Sequence, residues 1–255
     1  MKQKTRERML YILLFYVLIG AVLFFYQRKL IYFPTPKIPH EYEQQQLIHD
    51  NITLEVIALN QGQKEAIIYF GGNAESVVYS AKYFLDTFPR QTVYLLNYRG
   101  YGGSSGKPSE KGFFADSLFL FDKVLEKQTT ISVIGRSLGS GVATYLASKR
   151  PVKKMALISP FDSITRVAQK NFMMFPMFLM LLDKYDSISR VKDIKAETFV
   201  LIAEYDEVIP RIHSQRLIDE FAAEQITVKI IADSRHNDIS EKVEYYHVLK
   251  DFISK

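Results

Sequence analysis

The stretch Thr130-Ile131-Ser132-Val133-Ile134-Gly135-Arg136-Ser137-Leu138-Gly139 decides the fold, because an apolar run leads directly into the pattern G-x-S-x-G. Residues 139–148 then have the composition of a helix. A turn between a strand and a helix is so tight that side chains at 135 and 139 would collide, which accounts for both glycines. Ser137 is therefore expected in a strained conformation, with its hydroxyl projecting from the carboxyl edge of a sheet. The same glycines would also suit a turn that merely packs the helix on the strand.

Outward from this turn, short apolar runs alternate with longer helical patterns. The runs are rich in Val, Ile, Leu and aromatic residues and are apolar throughout, as expected of parallel strands covered on both faces. The predicted strands are 52–58, 66–70, 92–98, 131–134, 154–158, 198–203 and 227–232, and the predicted helices are 75–87, 110–127, 138–149, 210–224 and 239–253. The alternation predicts a doubly wound α/β domain over residues 51–255.

Ser137 needs a general base, because a serine hydroxyl is a poor nucleophile at neutral pH. His236 is the candidate, since it lies in a polar loop just after the strand predicted over 227–232. The other histidines either precede the serine too early in the chain or lie in predicted helices: His40, His49, His213 and His247. His236 would otherwise be a surface loop histidine.

The base in turn needs an orienting carboxylate. Asp206 is the candidate, because it follows the strand predicted over 198–203 and precedes a helix that begins with Pro210. Asp206 could instead cap that helix, and Glu204 is the alternative orienting acid. The resulting chain order is serine, acid, histidine.

A tetrahedral intermediate at Ser137 would need two backbone N–H donors. Leu138, the residue after the serine, supplies one. The other is assigned to Asn73, in the loop after the strand predicted over 66–70, where Gly71 and Gly72 let the backbone approach a substrate closely. The glycine pair would also suit an ordinary strand-to-helix turn.

The chain begins with a candidate membrane anchor over residues 1–29. Residues 9–26 carry no charge, and 18 helical residues span roughly 27 Å, close to the hydrocarbon thickness of a bilayer. A cleaved signal peptide or a buried core helix are the alternatives, but no small-residue cleavage site follows the run. Basic residues flank both ends, and those before the run favour a cytoplasmic amino terminus with the domain on the far side. Residues 30–50, in which three prolines keep the chain extended, are interpreted as a linker and entry segment to the domain.

Charge and composition exclude several classes of function. The formal charge is +5, yet residues 1–29 hold six basic residues and one acidic residue, so the remaining chain carries 27 of each sign. A neutral domain argues against nucleic-acid binding. The chain has no cysteine, which excludes disulfides, thiolate metal sites and a cysteine nucleophile. We expect neither a metal nor a cofactor, and the sequence leaves the oligomeric state open.

Residues 161–193 interrupt the alternation, because they are longer than a simple crossover requires. They hold four of the seven methionines, together with several phenylalanines. Such crowding is typical of a core, but it equally suits a lid that binds acyl chains or dips into the bilayer. The candidate substrate or lid residues are Phe172, Met173, Phe175, Met177 and Phe178.

Taken together, these motifs resemble those of the serine α/β-hydrolases, and in particular the small membrane-anchored α/β-hydrolase-domain proteins. The resemblance covers nearly everything after the anchor. It rests on Phe70-Gly71-Gly72-Asn73-Ala74, Asn97-Tyr98-Arg99-Gly100-Tyr101-Gly102, Gly135-Arg136-Ser137-Leu138-Gly139-Ser140-Gly141, Asp206 before Val208-Ile209-Pro210, and His236-Asn237-Asp238. Many relatives have a histidine where this chain has Gly71, which questions the side-chain support of that loop.

The resemblance implies the α/β-hydrolase fold, a triad of Ser137, Asp206 and His236, and esterase, lipase or thioesterase chemistry without a metal. The expected partners are the bilayer, through the anchor, and an ester or acylated substrate that is lipid-like. Two alternatives stay open: a serine peptidase of related fold, and a non-catalytic scaffold tethered to the membrane.

Overall fold

The computed structural model describes residues 2–255, which contain eight strands and eight helices. The strands are β1 (Gln44–His49), β2 (Ile52–Leu59), β3 (Glu65–Phe70), β4 (Gln91–Leu96), β5 (Thr130–Arg136), β6 (Lys154–Ile158), β7 (Glu197–Ala203) and β8 (Ile226–Ile231). The helices are α1 (Lys2–Ile31), α2 (Val78–Thr87), α3 (Glu110–Leu125), α4 (Leu138–Ala147), α5 (Ile164–Asn171), α6 (Met177–Met180), α7 (Arg211–Ile218) and α8 (Val243–Ser254). Two short 3₁₀ helices, Ile188–Asp193 and Ile239–Glu241, complete the set.

The strands form one sheet in the order β1-β2-β4-β3-β5-β6-β7-β8. β2 pairs antiparallel with both β1 and β4, and every pair from β4 to β8 is parallel. Side chains alternate between the two faces of the sheet, so Ile68 and Phe70 of β3 enter one hydrophobic cluster while Ile67 and Tyr69 enter the other. α3, α4 and α7 cover the first face, and α2 and α8 cover the second. The predicted mostly parallel α/β architecture is confirmed.

β1 lies within residues 30–50, the predicted linker and entry segment, and is a strand that the sequence did not predict. Residues 44–49 pair in register with β2, from Gln44 opposite Ile57 to His49 opposite Ile52. The segment reads Gln-Gln-Gln-Leu-Ile-His, and its side chains are only partly covered. A strand at the edge of a sheet can carry polar side chains, so a search for apolar runs misses it.

α1 is longer than the apolar run at 9–26, because its basic flanks are also helical. Among residues 2–255 it is the one helix long and apolar enough to cross a membrane. Most of its side chains are exposed, but one face is partly covered by the rest of the protein. That face, spaced by three or four residues, comprises Tyr16, Gly20, Leu23, Gln27 and Ile31.

Residues 161–193 form α5, α6 and the first 3₁₀ helix, and we call residues 164–182 the cap. Met177 and Leu181 are buried, whereas Met173, Met174 and Phe178 are between 60% and 82% exposed. The cap therefore lies on the surface of the domain, and only a few of its side chains are buried in the interior.

Candidate active site

Ser137 lies at the turn between β5 and α4 with φ 50° and ψ −117°. A non-glycine residue at positive φ is strained, and such strain persists only where the surroundings fix it. Here the Ser137 N–H donates to the Ile158 carbonyl at 2.8 Å, and the Ser140 N–H and hydroxyl both donate to the Ser137 carbonyl. The side chain is held at the carboxyl edge of the sheet, as the sequence predicts.

His236 and Asp206 reach the same edge from the loops after β8 and β7. His236 Nε2 lies 2.9 Å from Ser137 Oγ, and His236 Nδ1 lies 2.8 and 2.9 Å from the two Asp206 oxygens. Because a carboxylate only accepts, Nδ1 carries the proton and Nε2 accepts the Ser137 hydroxyl. The three predicted residues thus form one chain of hydrogen bonds, 99 and 30 positions apart in sequence.

The Asp206 carboxylate is ionised, and the side chain is only 3% exposed. Burial alone would raise its pKa, but hydrogen bonding to His236, the charge of that ring and the Ile209 N–H outweigh it, so the pKa lies below its ordinary value. Its Oδ1 accepts from the N–H groups of Val208 at 3.0 Å and Ile209 at 2.7 Å. The carboxylate therefore fixes the turn before α7 and orients the imidazole at the same time.

The other candidates for acid and base lie elsewhere. Glu204 accepts from the Asp233 N–H at 2.8 Å, which shapes the loop that carries His236. His213 is buried in α7 with its Nδ1 2.9 Å from Asp162, and His49 contacts Asp116 at 2.9 Å. None of these histidines contacts Ser137.

The loop after β3 passes close to the serine. A Cβ added to Gly72 would lie 3.7 Å from Ser137 Cβ, so the backbone of this loop approaches Ser137 closely. Asn73 and Leu138, the predicted N–H donors, line one cavity together with Ser137. Gly71, at the position of the relatives' histidine, has its carbonyl bonded by the Tyr98 hydroxyl at 2.9 Å.

Glu75 is the support of this loop that sequence reasoning missed. Its carboxylate accepts from the Gly72 N–H at 2.7 Å, the Tyr69 hydroxyl at 2.7 Å and the Ser80 hydroxyl at 2.9 Å. Arg136 contacts it at 3.5 Å. The sequence signal that could have identified this role is an acidic residue, Glu75, three positions after the pair Gly71-Gly72.

Arg136 extends this support to the histidine loop. Its guanidinium donates to the carbonyls of His236 at 3.1 Å and Asn237 at 3.2 Å. Arg136 therefore links the loop after β3 with the loop that carries His236. Sequence reasoning treated it as a variable position of the G-x-S-x-G pattern.

Asn73 has a second role that the sequence did not reveal. Its side-chain Nδ2 donates to the Ile31 carbonyl at 2.6 Å, and its Oδ1 accepts from the Phe33 N–H and the Tyr101 hydroxyl. The residue assigned to the oxyanion donor thus also holds the end of α1.

The motif glycines are required for contacts that differ partly from the predicted ones. A Cβ at Gly135 would lie 2.5 Å from the Gly139 carbonyl oxygen, as the tight turn implies. A Cβ at Gly139, however, would lie 2.1 Å from the carbonyl oxygen of Phe70. The second glycine therefore lets α4 pack on the end of β3, which is a tertiary contact rather than a clash within the turn.

Two cavities meet at Ser137 and Asn73. One is a polar cleft of about 870 Å³ on the side of His236 and Glu75. The other is an apolar cavity of about 280 Å³ lined by the cap, by Leu138 and by α1. Of the candidate lid residues, Phe172 and Met177 line the apolar cavity, Met173 and Phe178 face outward, and Phe175 stacks on Tyr16 at 4.7 Å.

Comparisons with known proteins agree with this fold. Residues 65–181 match the family described as the alpha/beta hydrolase fold. The chain is similar to an esterase of Pyrococcus furiosus, with a TM-score of 0.67 at 18% identity, over 88% of this chain and 97% of the esterase. At that identity the likeness shows the fold alone.

The chain is also similar in sequence to several known proteins. The chain is 30% identical to an uncharacterized membrane protein of Saccharomyces cerevisiae, over 91% of this chain and 90% of the yeast protein. It is 30% identical to the lysophosphatidylserine lipase ABHD12 of Bos taurus, over 64% of this chain and 48% of the lipase. It also spans about half of an uncharacterized Mycobacterium tuberculosis protein, with 36% identity over 58% of this chain and 53% of that one. The chain belongs to the α/β-hydrolase superfamily and has a membrane protein among its relatives.

Proposed function

We propose that this protein is a hydrolase, namely a membrane-anchored serine esterase that cleaves carboxylic esters or thioesters of acylated, lipid-like substrates through an acyl-enzyme. The observation that carries the proposal is the chain of hydrogen bonds from Ser137 through His236 to Asp206 at the junction of an apolar and a polar cavity. An acyl chain suits the first cavity, and the alcohol or thiol portion suits the second.

In the proposed reaction, Ser137 Oγ attacks the acyl carbonyl while His236 Nε2 takes the hydroxyl proton. The Asp206 carboxylate stabilises the imidazolium, and the N–H groups of Asn73 and Leu138 stabilise the oxyanion. The tetrahedral intermediate then collapses, and His236 returns the proton to the departing alkoxide or thiolate. Water repeats the sequence on the acyl-serine and releases the carboxylic acid.

The proposed membrane attachment rests on α1 and on the exposed apolar side of the cap. Apolar side chains at Met173, Met174, Phe178 and Leu179 are between 60% and 82% exposed, which is costly in water but favourable in a bilayer. We place the amino terminus in the cytoplasm and the domain on the far side. Protease added to intact spheroplasts would then trim the domain, whereas protection would reverse the orientation.

The test of the serine chemistry uses the full chain in detergent with a fluorophosphonate probe, which labels activated serines. We expect wild type to be labelled and Ser137→Ala not to be. Ser148→Ala is the matched control, because Ser148 lies at the other end of α4 and should leave labelling intact. If wild type and Ser137→Ala label equally poorly while folded, the enzyme is not a serine hydrolase of this type and the scaffold alternative is favoured.

A second measurement addresses the substrate class. Nitrophenyl acyl esters, acyl thioesters and aminoacyl anilides are compared on protein whose labelling has been verified. Faster turnover of acyl esters or thioesters supports the proposal, and faster turnover of the anilides would favour the peptidase alternative. The apolar character of the cavity beside Ser137 is the reason for expecting the first result.

A further inference from the structure

The apolar cavity beside Ser137 has one wall that comes from the membrane anchor. Leu23, Leu30 and Ile31 of α1 line it, opposite Phe172, Met177 and Leu181 of the cap. Ser137 and Leu138 line the same cavity. In the folded chain, the anchor is therefore part of the cavity that leads to the nucleophile.

Polar contacts hold this wall in place. The Gln27 side chain is 4% exposed; its Nε2 donates to the Met180 carbonyl at 3.2 Å, and its Oε1 accepts from the Leu182 N–H at 2.7 Å. Arg28 then pairs with the buried Asp183 at 2.9 Å. A glutamine near the end of a membrane helix thus satisfies backbone groups of the cap, which would be costly to leave unpaired in an apolar setting.

The contact between anchor and cap extends deep along α1. The Tyr16 hydroxyl donates to the Met174 carbonyl at 2.6 Å, and the Tyr16 ring stacks on Phe175. Tyr16 precedes Arg28 by 12 residues, or roughly 18 Å of helix. With Arg28 at the interface, the tip of the cap lies about halfway through a hydrocarbon core of roughly 30 Å.

In that placement, the outer side of the cavity borders lipid rather than water. The cap exposes the apolar side chains of Met173, Met174 and Leu179. The cavity volume of about 280 Å³ is near the lower end of the roughly 300–1,000 Å³ typical of ligand sites. It suits one acyl chain, while the larger polar cleft takes the rest of the molecule.

We propose that the anchor helix forms part of the acyl-binding site: one acyl chain of a membrane lipid enters between α1 and the cap from the bilayer, and Leu23 limits the chain length that fits. The inference rests on the serine esterase function proposed above. It assigns to α1 a role in substrate binding and chain selection in addition to attachment.

The first test compares Leu23→Trp with Val22→Trp. Val22 is the neighbouring residue on the lipid side of α1 and is 50% exposed. Both variants are reconstituted in phosphatidylcholine vesicles and assayed with nitrophenyl esters of four and twelve carbons. We expect the ratio of kcat/KM for the long ester to that for the short ester to fall at least tenfold in Leu23→Trp, since methylene-sized changes in apolar pockets alter selectivity by factors of about 10–200. Equal ratios in the two variants would overturn the proposal.

A second test is independent of steric effects on folding and uses the absence of native cysteines. Leu23→Cys and Val22→Cys are each treated with a lipid-soluble maleimide, before and after Ser137 has reacted with an ethyl or a dodecyl fluorophosphonate. We expect the dodecyl group alone to protect Cys at position 23, and neither group to protect position 22. If the dodecyl group gives no more protection than the ethyl group, the chain lies elsewhere and the proposal is wrong.

Entry from the bilayer is tested with a long-chain ester that does not exchange between vesicles. Vesicles that hold both protein and ester should support turnover, while protein and ester in separate vesicles should not. Equal turnover in both arrangements would contradict entry from the bilayer. A failure of the proposed function has a different signature, because wild type would then not react with either fluorophosphonate.

Discussion

Glu75 provides the most direct test of what fixes the conformation of the loop after β3, because its carboxylate contacts four groups around that loop. Glu75→Ala would leave the Gly72 N–H, two hydroxyls and the Arg136 guanidinium without their acceptor. The Glu75 side chain is only 11% exposed and that of Arg136 only 14%. We therefore expect this substitution to impair both stability and catalysis.

The magnitude follows from burial. Removing one partner of a buried ion pair costs about 3–5 kcal/mol, because the other charge stays buried and uncompensated. Gly72 immediately precedes Asn73, so a displaced Gly72 moves the proposed N–H donor. Loss of a full oxyanion donor lowers kcat by about 10²–10³, and we expect a partial displacement to lower kcat about 10–100-fold with little change in KM.

Glu75→Gln separates the two effects. An amide oxygen can still accept from the Gly72 N–H, and the amide NH₂ can donate to the Tyr69 and Ser80 hydroxyls, which can rotate to accept. Only the charge opposite Arg136 is lost. We expect a free energy of unfolding that lies between those of wild type and Glu75→Ala, and a kcat close to that of wild type.

The assay combines urea unfolding of the detergent-solubilised chain with initial rates on a short soluble ester. Far-UV circular dichroism is the probe, because the chain contains no tryptophan. Asp122→Ala is the control, since it breaks an exposed pair with Arg150 and should cost at most about 1 kcal/mol. If the midpoint urea concentration of Glu75→Ala equals that of Asp122→Ala, or if its kcat equals that of wild type, Glu75 does not support the loop in this way.

Three further substitutions test separate parts of the structure. Gly139→Ala brings a Cβ to 2.1 Å from the Phe70 carbonyl oxygen, so we expect a loss of roughly 3 kcal/mol or more in unfolding experiments; wild-type stability would contradict the contact. The lowered pKa of Asp206 means that its carboxylate stabilises the fold above about pH 3.9 and ceases to do so as the pH falls through the folded-state pKa. The stability difference between wild type and Asp206→Asn should therefore narrow below about pH 4, and a constant difference from pH 7 to pH 3 would refute this. Asp183→Asn weakens the tie to Arg28, so limited proteolysis should cut the cap faster than in wild type; an unchanged rate would show that the pair does not hold the cap.

The parts of the fold that sequence reasoning predicted are those with strong local signals. β5 to β7 are buried and apolar almost throughout, so their composition alone identifies them. The sequence did not predict β1, because an edge strand is half-exposed and therefore tolerates glutamines in place of apolar residues. Gly135 is required by a contact within the turn itself, so the local sequence predicts it. Gly139 is required because α4 packs on Phe70 at the end of β3, and the sequence around Ser137 does not show that contact.

The same distinction applies to the site. Ser137, Asp206 and His236 each follow a predicted strand, and the carboxyl ends of parallel strands meet at one edge, so their proximity was predictable. Arg136 acts through hydrogen bonds to the carbonyls of a loop 100 positions away, and nothing near Arg136 in the sequence indicates that partner. Glu75 accepts from Gly72 within its own loop, so its spacing from the glycine pair was a signal that could have been used. The pairing of α1 with the cap was likewise hidden, because an apolar run looks the same whether lipid or protein surrounds it.

Asn73 shows why α1 and the loop after β3 are best considered together. A helix ends with carbonyl groups that lack partners within the helix, and Asn73 supplies one for Ile31 through its side chain. The backbone of the same residue belongs to the loop that passes Ser137. Any displacement of the end of α1 therefore acts on the position of the proposed oxyanion donor. A hydrolase that draws its substrate from the bilayer would gain from this arrangement, because the helix that borders the acyl chain also helps to fix the catalytic loop.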